Sequence, residues 1–193
     1  MPSPSPLATG VFYHIYNRGT NRENIFIQER NYAYFLSLYA KYIEPVAETY
    51  VYCLLKNHFH LLVRVRDDLQ PKGLSASGAF SNLFNAYAKA INKAYDRTGS
   101  LFQHPFGRIP VLTSEYLVQV VRYIHFNPQK HRLASDFRDW NYSSYQAMLS
   151  HQATRLQRKD VMDWFDGASG YIAAHQYPVD EQIIAPLTPD DED

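Results

Sequence analysis

Two histidines separated by one residue stand in an otherwise apolar run, LLKNHFHLLVRV at 54–65. Side chains on a strand alternate between its faces, so we expect His58 and His60 to lie side by side and Phe59 to point to the opposite face. Two imidazoles on one face can bind a divalent cation, but a catalytic cation needs at least one further ligand. The alternative is a pair of partly exposed strand histidines with no metal, which an isolated HxH pattern favours.

A second group of side chains that could act as a nucleophile or as metal ligands lies on the segment SEYLVQVVRYIHFN at 114–127. Its apolar residues have the spacing of a helix core face: Leu117, Val120, Val121 and Ile124. A second, polar stripe is formed by Tyr116, Gln119, Tyr123 and Asn127.

Tyr123 and Asn127 are one helical turn apart, so a phenol and an amide project in the same direction. A phenol has a pKa of about 10 and is a poor nucleophile until a base or a cation removes its proton. Tyr116 is a rival nucleophile, but Val120, four residues further on, cannot bind a metal. A half-exposed helix face without catalytic function is the alternative for the whole stripe.

The elements that would position these side chains follow a β-α-β-β-α-β-α order. The expected elements are a strand at 11–19 with Gly19 opening a turn, a helix at 30–43, a hairpin of strands 48–55 and 58–65 turning at Lys56-Asn57, a loop at 67–78, a long helix with its apolar face from Phe80 to Tyr95, an edge strand at 108–112 containing Pro110, and a helix capped by Ser114 and stopped by Pro128. This order predicts an α+β fold, a ferredoxin-like or RRM-like sandwich with a central antiparallel sheet and helices on its faces.

The charge of the chain is unevenly distributed. All 19 Lys and Arg lie in residues 1–159, together with 10 acidic residues, whereas residues 160–193 carry the other nine acidic residues and no base. A basic body indicates a polyanionic partner. The alternative is an ordinary solvated surface with a disordered acidic end.

Length and composition predict one globular domain with tails. We expect a Pro/Ser-rich disordered segment at 1–10, a catalytic domain at 11–150 and a C-terminal extension with an acidic tail at 151–193. The single cysteine, Cys53, excludes an internal disulfide and a cysteine-based zinc knuckle. Together with the lack of a signal-peptide pattern and of a membrane-length apolar run, this predicts a cytoplasmic protein with no membrane contact.

The HFH strand followed by a helix ending in RYIHFNP resembles the single-tyrosine HUH transposases, and most closely the REP-associated tyrosine transposases. Further matching segments cover most of residues 11–149: YHIYNRGTNRENIF at 13–26, KNHFHLLVRV at 56–65, GSLFQHPF at 99–106 and WNYSSYQAML at 140–149. Two departures stand out. LKNHFH stands where MPNHVH is common. After Gln103, His104 stands where arginine is usual, and this second departure is expected to weaken a contact with the DNA backbone.

The resemblance implies a role for each matching residue. His58 and His60 match the metal ligands, Asn127 matches the third ligand, and Tyr123 matches the nucleophile. It further implies Mg²⁺ or Mn²⁺, a 5′-phosphotyrosine intermediate with a free 3′-OH, and single-stranded or hairpin DNA as the partner. Either a monomer or a homodimer is compatible with the sequence.

DNA contacts are expected from seven polar residues outside the metal set: Arg18, Asn21, Arg22, Lys89, Lys93, Gln103 and Arg108. Solvated turn and helix residues are the alternative for these positions.

Other residues carry weaker expectations. His14 and His104 are expected at the surface, with substrate contact as the alternative, and His125 is expected to be exposed or to face DNA. The aromatic residues Trp140, Tyr142 and Tyr145 are expected to pack the C-terminal segment onto the body, and stacking on a flipped-out base is the alternative.

The favoured function is therefore a DNA strand transferase that cleaves and rejoins hairpin DNA. The principal alternative is a DNA-binding regulator on the same scaffold without catalysis. A metal-dependent hydrolase of small phosphoesters is a third hypothesis, which leaves the basic body without a role.

Overall fold

The structure is a computed structural model that describes residues 5–68, 75–177, 179 and 181–185. The elements are β1 (Phe12–Arg18), a 3₁₀ turn (Thr20–Arg22), α1 (Glu29–Tyr42), β2 (Ala47–Leu54), β3 (His58–Val65), α2 (Ala76–Ala94), β4 (Gly107–Val111), α3 (Ser114–Lys130), a second 3₁₀ turn (Phe137–Asp139), α4 (Tyr145–Leu149), α5 (Arg158–Trp164), α6 (Ala168–Ala174) and α7 (Glu181–Ile184). The predicted β-α-β-β-α-β-α order is confirmed as far as α3.

The four strands form one antiparallel sheet in the order β2-β3-β1-β4. β3 and β1 occupy its centre, and Tyr16 pairs with His60 while Arg18 pairs with His58. β4 is an edge strand, as Pro110 predicted, because a proline lacks the N–H that a central strand needs. The predicted α+β architecture with a central antiparallel sheet is confirmed.

Each face of the sheet has its own apolar core. Phe59 belongs to the core between the sheet and helices α1 and α2, together with Phe35 and Phe80. Leu62 belongs to the core on the opposite face, where Val120 of α3 and Tyr171 of α6 pack. The alternation predicted for β3 is therefore confirmed, and α3 covers the face to which His58 and His60 belong.

Helix ends differ from the predictions by a few residues. α2 begins at Ala76, inside the predicted loop 67–78, and Ser75 Oγ caps it by accepting from Gly78 N at 3.2 Å. Thr113, not Ser114, caps α3, since Thr113 Oγ1 accepts from Tyr116 N at 3.3 Å. Two adjacent hydroxyl residues offer equivalent caps, so the sequence alone does not separate them.

Pro128 does not stop α3, which continues to Lys130. A proline this close to the end of a helix removes one backbone hydrogen bond but leaves the next intact. Here His131 N still donates to Asn127 O at 2.9 Å. The helix therefore passes through Pro128, which is itself buried.

Both terminal segments contact the body where the structure describes them. Leu7 is buried, and its backbone N donates to Ser77 Oγ at 3.0 Å, although residues 1–10 were expected to be disordered. Residues 1–4 and the acidic residues 190–193 lie outside the described residues, and the domain boundary after residue 150 stays a prediction. Within the described ranges, no helix has the length and apolar character needed to cross a bilayer.

The expected packing of the C-terminal aromatic residues is confirmed. Trp140 Nε1 donates to Leu54 O at 2.9 Å, and the Tyr142 ring stacks on Tyr32 with centroids 3.6 Å apart. Tyr145 is buried in the core that α3 shares with the sheet.

Candidate active site

His58 and His60 are buried beneath α3, with only 4% and 3% of their surface exposed. The alternative of two partly exposed histidines therefore does not hold. The His60 ring lies 5.4 Å from the Tyr123 ring, at an interplanar angle of 80°. The strand pair and the candidate nucleophile of α3 thus meet at one place.

Each histidine is held through its Nδ1 atom. His58 Nδ1 lies 2.7 Å from Asn57 Oδ1, which can only accept, so the hydrogen is on Nδ1 and Nε2 keeps its lone pair. His60 Nδ1 lies 3.0 Å from His14 Nε2. If His60 is the donor of that bond, its Nε2 lone pair is likewise available, and this is the arrangement that metal-binding histidines adopt.

Four functional atoms are buried and have no hydrogen-bond partner among the described residues. These are His58 Nε2, His60 Nε2, Tyr123 OH and Asn127 Oδ1. Leaving a buried polar atom without a partner costs on the order of 1–3 kcal/mol, so native proteins rarely do so without a reason. The concentration of such atoms on the residues predicted to bind metal and attack phosphate indicates a ligand site.

The Asn127 amide is fixed in orientation by α3 itself. Its Nδ2 donates to the Tyr123 carbonyl at 2.9 Å, which leaves Oδ1 as the atom available to a ligand. The amide is also close enough to His58 to favour the protonated imidazole, although no hydrogen bond of normal geometry joins them. The two side chains therefore face each other across the gap between α3 and β3.

Both strand histidines are held in the neutral form that metal binding requires. Burial lowers the pKa of His58 to about 3, assisted by the nearby charges of His131 and Arg18. Burial also lowers the pKa of His60 well below its usual value, and His58 contributes to that shift. Neutral imidazoles bind a cation without first losing a proton.

The donor set fits a hard or borderline divalent cation. Within the described part of the chain, no group of three or more His, Cys, Asp or Glu side chains is arranged to hold a metal, so a third ligand for a cation at His58 and His60 would have to be of another type. The Asn127 amide oxygen meets that requirement beside the two imidazole nitrogens. The set lacks the thiolates of most structural zinc sites, and its amide oxygen is a ligand type that suits Mn²⁺ or Mg²⁺.

Two of the expected DNA contacts border the histidines. Arg18 and Gln103 line a small cavity of about 30 Å³ together with His58 and His60, and Gln103 N donates to Arg18 O at 2.8 Å. The buried Asn17 Nδ2, which also has no partner among the described residues, belongs to a residue lining the same cavity. A positive charge and two amides thus lie beside the candidate metal ligands.

Asn21 and Arg22 lie in the 3₁₀ turn after β1, both with positive φ. The Arg22 carbonyl accepts from Asn57 Nδ2 at 3.3 Å, so this turn also supports the residue that holds His58.

The other expected DNA contacts lie away from the histidines. Lys89 and Lys93 are exposed on α2, which covers the opposite face of the sheet. Arg108 lies over the Phe106 ring at 3.7 Å and donates to Ser77 Oγ at 3.2 Å, also on the α2 side. The structure does not bring these three residues to the site, and their contact with DNA stays a prediction.

His14 is fully buried, so the expectation of a surface residue was wrong. It lies on the central strand β1, and its partner on β3, Leu62, belongs to the core under α3. The alternation of β1 places His14 and Tyr16 on the same face, a signal that could have found it. His104 is exposed, as expected.

Two further residues near the site were not singled out from the sequence. The His131 ring lies 4.7 Å from the His58 ring, and Lys130 Nζ lies 5.5 Å from the Tyr123 ring centroid. Both come from the last turn of α3 and the residue after it, beyond the proline that was expected to end the helix.

His125 is fully buried, which corrects the expectation that it is exposed or faces DNA. Its Nδ1 lies 3.0 Å from His175 Nε2 and its Nε2 lies 2.9 Å from Ser144 Oγ. The short C-terminal helices cover this side of α3, and their weak periodicity gave no sign of that from the sequence.

Comparisons with known proteins show the fold of this chain. Neither a family model nor a curated protein matches it. A solved structure described as a REP-associated tyrosine transposase bound to a REP hairpin is similar to it, with a TM-score of 0.61 and 16% sequence identity. The match covers 87% of this chain and 97% of that chain, so the two share an architecture over most of their length.

Proposed function

We propose that this protein is a DNA strand transferase that cleaves and rejoins single-stranded hairpin DNA through Tyr123. The observation that carries the proposal is a set of four buried atoms without partners among the described residues, two imidazole nitrogens, an amide oxygen and a phenol oxygen, all on neighbouring side chains. These are the atoms that metal-assisted phosphoryl transfer to a tyrosine requires.

The candidate ligands and the nucleophile have separate tasks. A divalent cation bound by His58, His60 and Asn127 would polarise the scissile phosphate and offset charge in the transition state. Tyr123 loses its phenolic proton to water and its oxygen attacks phosphorus. The bond from phosphorus to the 3′ oxygen breaks, and that oxygen takes up a proton. The products are a 5′-phosphotyrosine and a free 3′-OH, and the reverse reaction rejoins the strand without a nucleotide cofactor.

The positive charge near the histidines supports DNA as the substrate. Arg18 lines the cavity beside His58 and His60, where a phosphate oxygen would bind. The architecture is shared with a transposase that is described as bound to a REP hairpin. A small phosphoester would leave the basic body unused.

A DNA-binding regulator without catalysis is the second candidate. It is favoured by the burial of Tyr123, of which only 3% is exposed, because a nucleophile must reach phosphorus. The first proposal requires that the Tyr123 oxygen become accessible to the strand when DNA binds.

A covalent-adduct assay separates the two candidates. The full chain is incubated with Mn²⁺ and end-labelled REP-type hairpin oligonucleotides that carry single-stranded flanks, and the products are resolved on a denaturing gel. A strand transferase gives a protein–DNA adduct that is lost with a chelator and in Tyr123→Phe. Hairpin binding without an adduct identifies the regulator, and the absence of both contradicts the two proposals together.

A further inference from the structure

His131 follows the last turn of α3 and lies beside the strand histidine His58, with ring centroids 4.7 Å apart. We propose that the His131 imidazole donates a hydrogen bond to the 3′ oxygen that leaves phosphorus when Tyr123 attacks. The inference rests on the proposed function and adds a catalytic residue to its site.

The backbone of α3 sets the position of His131. Its N–H donates to the Asn127 carbonyl at 2.9 Å, so the helical path continues through Pro128 to this residue. Tyr123, Asn127 and His131 are therefore successive members of one stripe with i, i+4 spacing. The stripe that carries the nucleophile and the candidate amide ligand extends by one further turn, and an imidazole lies at its end.

The aromatic rings of the site follow one another in order. The Tyr123 ring lies 5.4 Å from the His60 ring, and the His60 ring lies 5.1 Å from the His58 ring. His131 comes next, beside His58. In phosphoryl transfer the attacking and leaving oxygens lie roughly in line, on opposite sides of phosphorus. A phosphate held at the strand histidines and attacked by Tyr123 therefore directs its leaving oxygen towards the His131 end of the site.

His131 is also accessible to a DNA strand. The candidate ligands and the nucleophile are at most 4% exposed, whereas His131 is half-buried. Arg18, which pairs with His58 across the two central strands, is half-buried as well. A strand that continues from the scissile phosphate can therefore reach both the Arg18 charge and the His131 imidazole beside His58.

The alternative role for this imidazole is to bind the cation itself. His58, His60 and His131 are neighbours, yet no three His, Cys, Asp or Glu side chains among the described residues are arranged to hold a metal. The geometry therefore favours a contact between His131 and the substrate over a contact with the cation.

The proposed contact stabilises charge and transfers no proton. The bond between the Tyr123 oxygen and phosphorus forms while the bond from phosphorus to the 3′ oxygen breaks. The electron pair of the broken bond stays on the 3′ oxygen, which takes up a proton from water. A neutral imidazole has one N–H to donate, so His131 keeps its protonation state throughout. A donor at an oxygen on which charge develops acts mainly in the transition state, so it affects the rate more than DNA binding.

The test changes the leaving atom of the substrate. Single-turnover rates of adduct formation are measured with Mn²⁺ and two REP-type hairpin oligonucleotides, one of which has sulfur in place of the bridging 3′ oxygen at the cleaved position. A thiolate leaves without the help of a donor, because a thiol has a pKa of only about 8.5, and sulfur accepts hydrogen bonds weakly. His131→Phe should slow the oxygen substrate about 100-fold but the sulfur substrate about threefold or less.

Two further variants frame this result. His131→Gln keeps an N–H donor and should recover part of the rate on the oxygen substrate. His151→Phe makes the same chemical change as His131→Phe at an exposed position outside the site and should leave both rates unchanged. Circular dichroism establishes that each variant is folded, and His131→Ala, which also lacks a donor, replaces His131→Phe if that variant is not.

Two binding measurements separate the leaving-group role from other roles. Calorimetry should give the same Mn²⁺ affinity for His131→Phe as for the wild type. In a Tyr123→Phe background, His131→Phe should change the affinity for the oxygen hairpin by about twofold or less, because the hydrogen bond strengthens only as charge develops.

Each result decides for or against the proposal. If His131→Phe slows both substrates by the same factor, or weakens Mn²⁺ binding about tenfold or more, the leaving-group role is wrong and the strand-transfer function stands. Wild-type rates of His131→Phe on the oxygen substrate lead to the same conclusion. If the wild-type chain forms no adduct with the oxygen substrate, the proposed function and this inference are overturned together.

Discussion

His14 Nε2 lies 3.0 Å from His60 Nδ1, across the neighbouring strands β1 and β3. A histidine outside the HxH pattern therefore holds one of the two histidines within it. The corresponding partner of His58 is Asn57, which immediately precedes β3. Both contacts involve Nδ1, and the Nε2 atom of each histidine has no hydrogen-bond partner among the described residues. The orientation of the two imidazoles therefore depends on residues outside the predicted ligand set.

Replacing His14 should weaken metal binding without unfolding the protein. His14→Phe keeps a ring of similar size but removes the group that pairs with His60 Nδ1. Loss of such an orienting partner typically lowers metal affinity about 10- to 100-fold. Titration calorimetry with Mn²⁺ measures the effect, and His104→Phe, at an exposed position, should leave the affinity unchanged. Equal affinities in the two variants would show that His14 has no orienting role.

Tyr123→Phe should abolish the DNA adduct and leave the protein at least as stable as the wild type. The hydroxyl is buried without a hydrogen-bond partner among the described residues, so its removal should stabilise the fold by up to about 1 kcal/mol. Urea unfolding measures the free energy change. Tyr116→Phe is the control and should retain the adduct, which mass spectrometry should locate on Tyr123. An adduct on Tyr116 would falsify the nucleophile assignment.

Two glycine substitutions should act in opposite directions. A Cβ on Gly107 would lie 2.1 Å from Tyr16 Cζ, so Gly107→Ala must displace a ring next to His60 and should cost about 1–3 kcal/mol. Gly78 lies within α2, where the nearest atom to an added Cβ is 3.5 Å away, and Gly78→Ala should stabilise the protein by about 0.5–1 kcal/mol. Thermal unfolding compares the pair, and a stable Gly107→Ala protein would contradict the close packing on Tyr16.

Stability should fall as the pH drops from about 6.5 towards 4. Burial lowers the pKa of His175 from 6.5 to about 4, and Arg122 adds to the shift. Below pH 6.5 His175 takes up a proton in the unfolded chain but not in the folded chain. Its contribution to the free energy of unfolding is therefore fully present above that pH and is lost progressively as the pH falls towards 4. Between pH 7 and pH 5 this histidine alone should cost roughly 2 kcal/mol.

His175→Phe tests this assignment because it retains a buried ring that does not titrate. Its loss of unfolding free energy between pH 7 and pH 5 should be smaller than that of the wild type. Other buried histidines, such as His125, whose pKa burial also lowers, contribute the remainder. The same pH dependence in both proteins would mean that His175 is not responsible.

Hairpin DNA binding should weaken steeply as salt increases, since phosphate contacts release counterions. Arg18→Gln should reduce the slope of log affinity against log salt by about one, because its charge lies beside the candidate phosphate site. Lys89→Gln makes the same charge change on the opposite face of the sheet, so it reports whether DNA reaches α2. Fluorescence anisotropy at several salt concentrations measures both, and an unchanged slope in Arg18→Gln would remove that residue from the interface.

Local patterns in the sequence were sufficient to predict how the central residues of the candidate site are arranged. The alternation of β3 put His58 and His60 on one face and Phe59 on the other, and helical spacing put Tyr123 and Asn127 one turn apart. The order of elements predicted the antiparallel sheet, and Pro110 predicted its edge strand. These features depend on side-chain periodicity within one element, which the sequence carries directly.

Only the tertiary structure decided which residues support and cover that site. The His14–His60 contact depends on the register between two strands that are far apart in the chain, and periodicity within one strand does not specify such a register. The burial of His125 depends on short C-terminal helices that pack across α3. These helices are too short for the periodicity of their apolar residues to predict where they pack. Long-range packing, which no local pattern encodes, therefore selects the partners of each functional side chain.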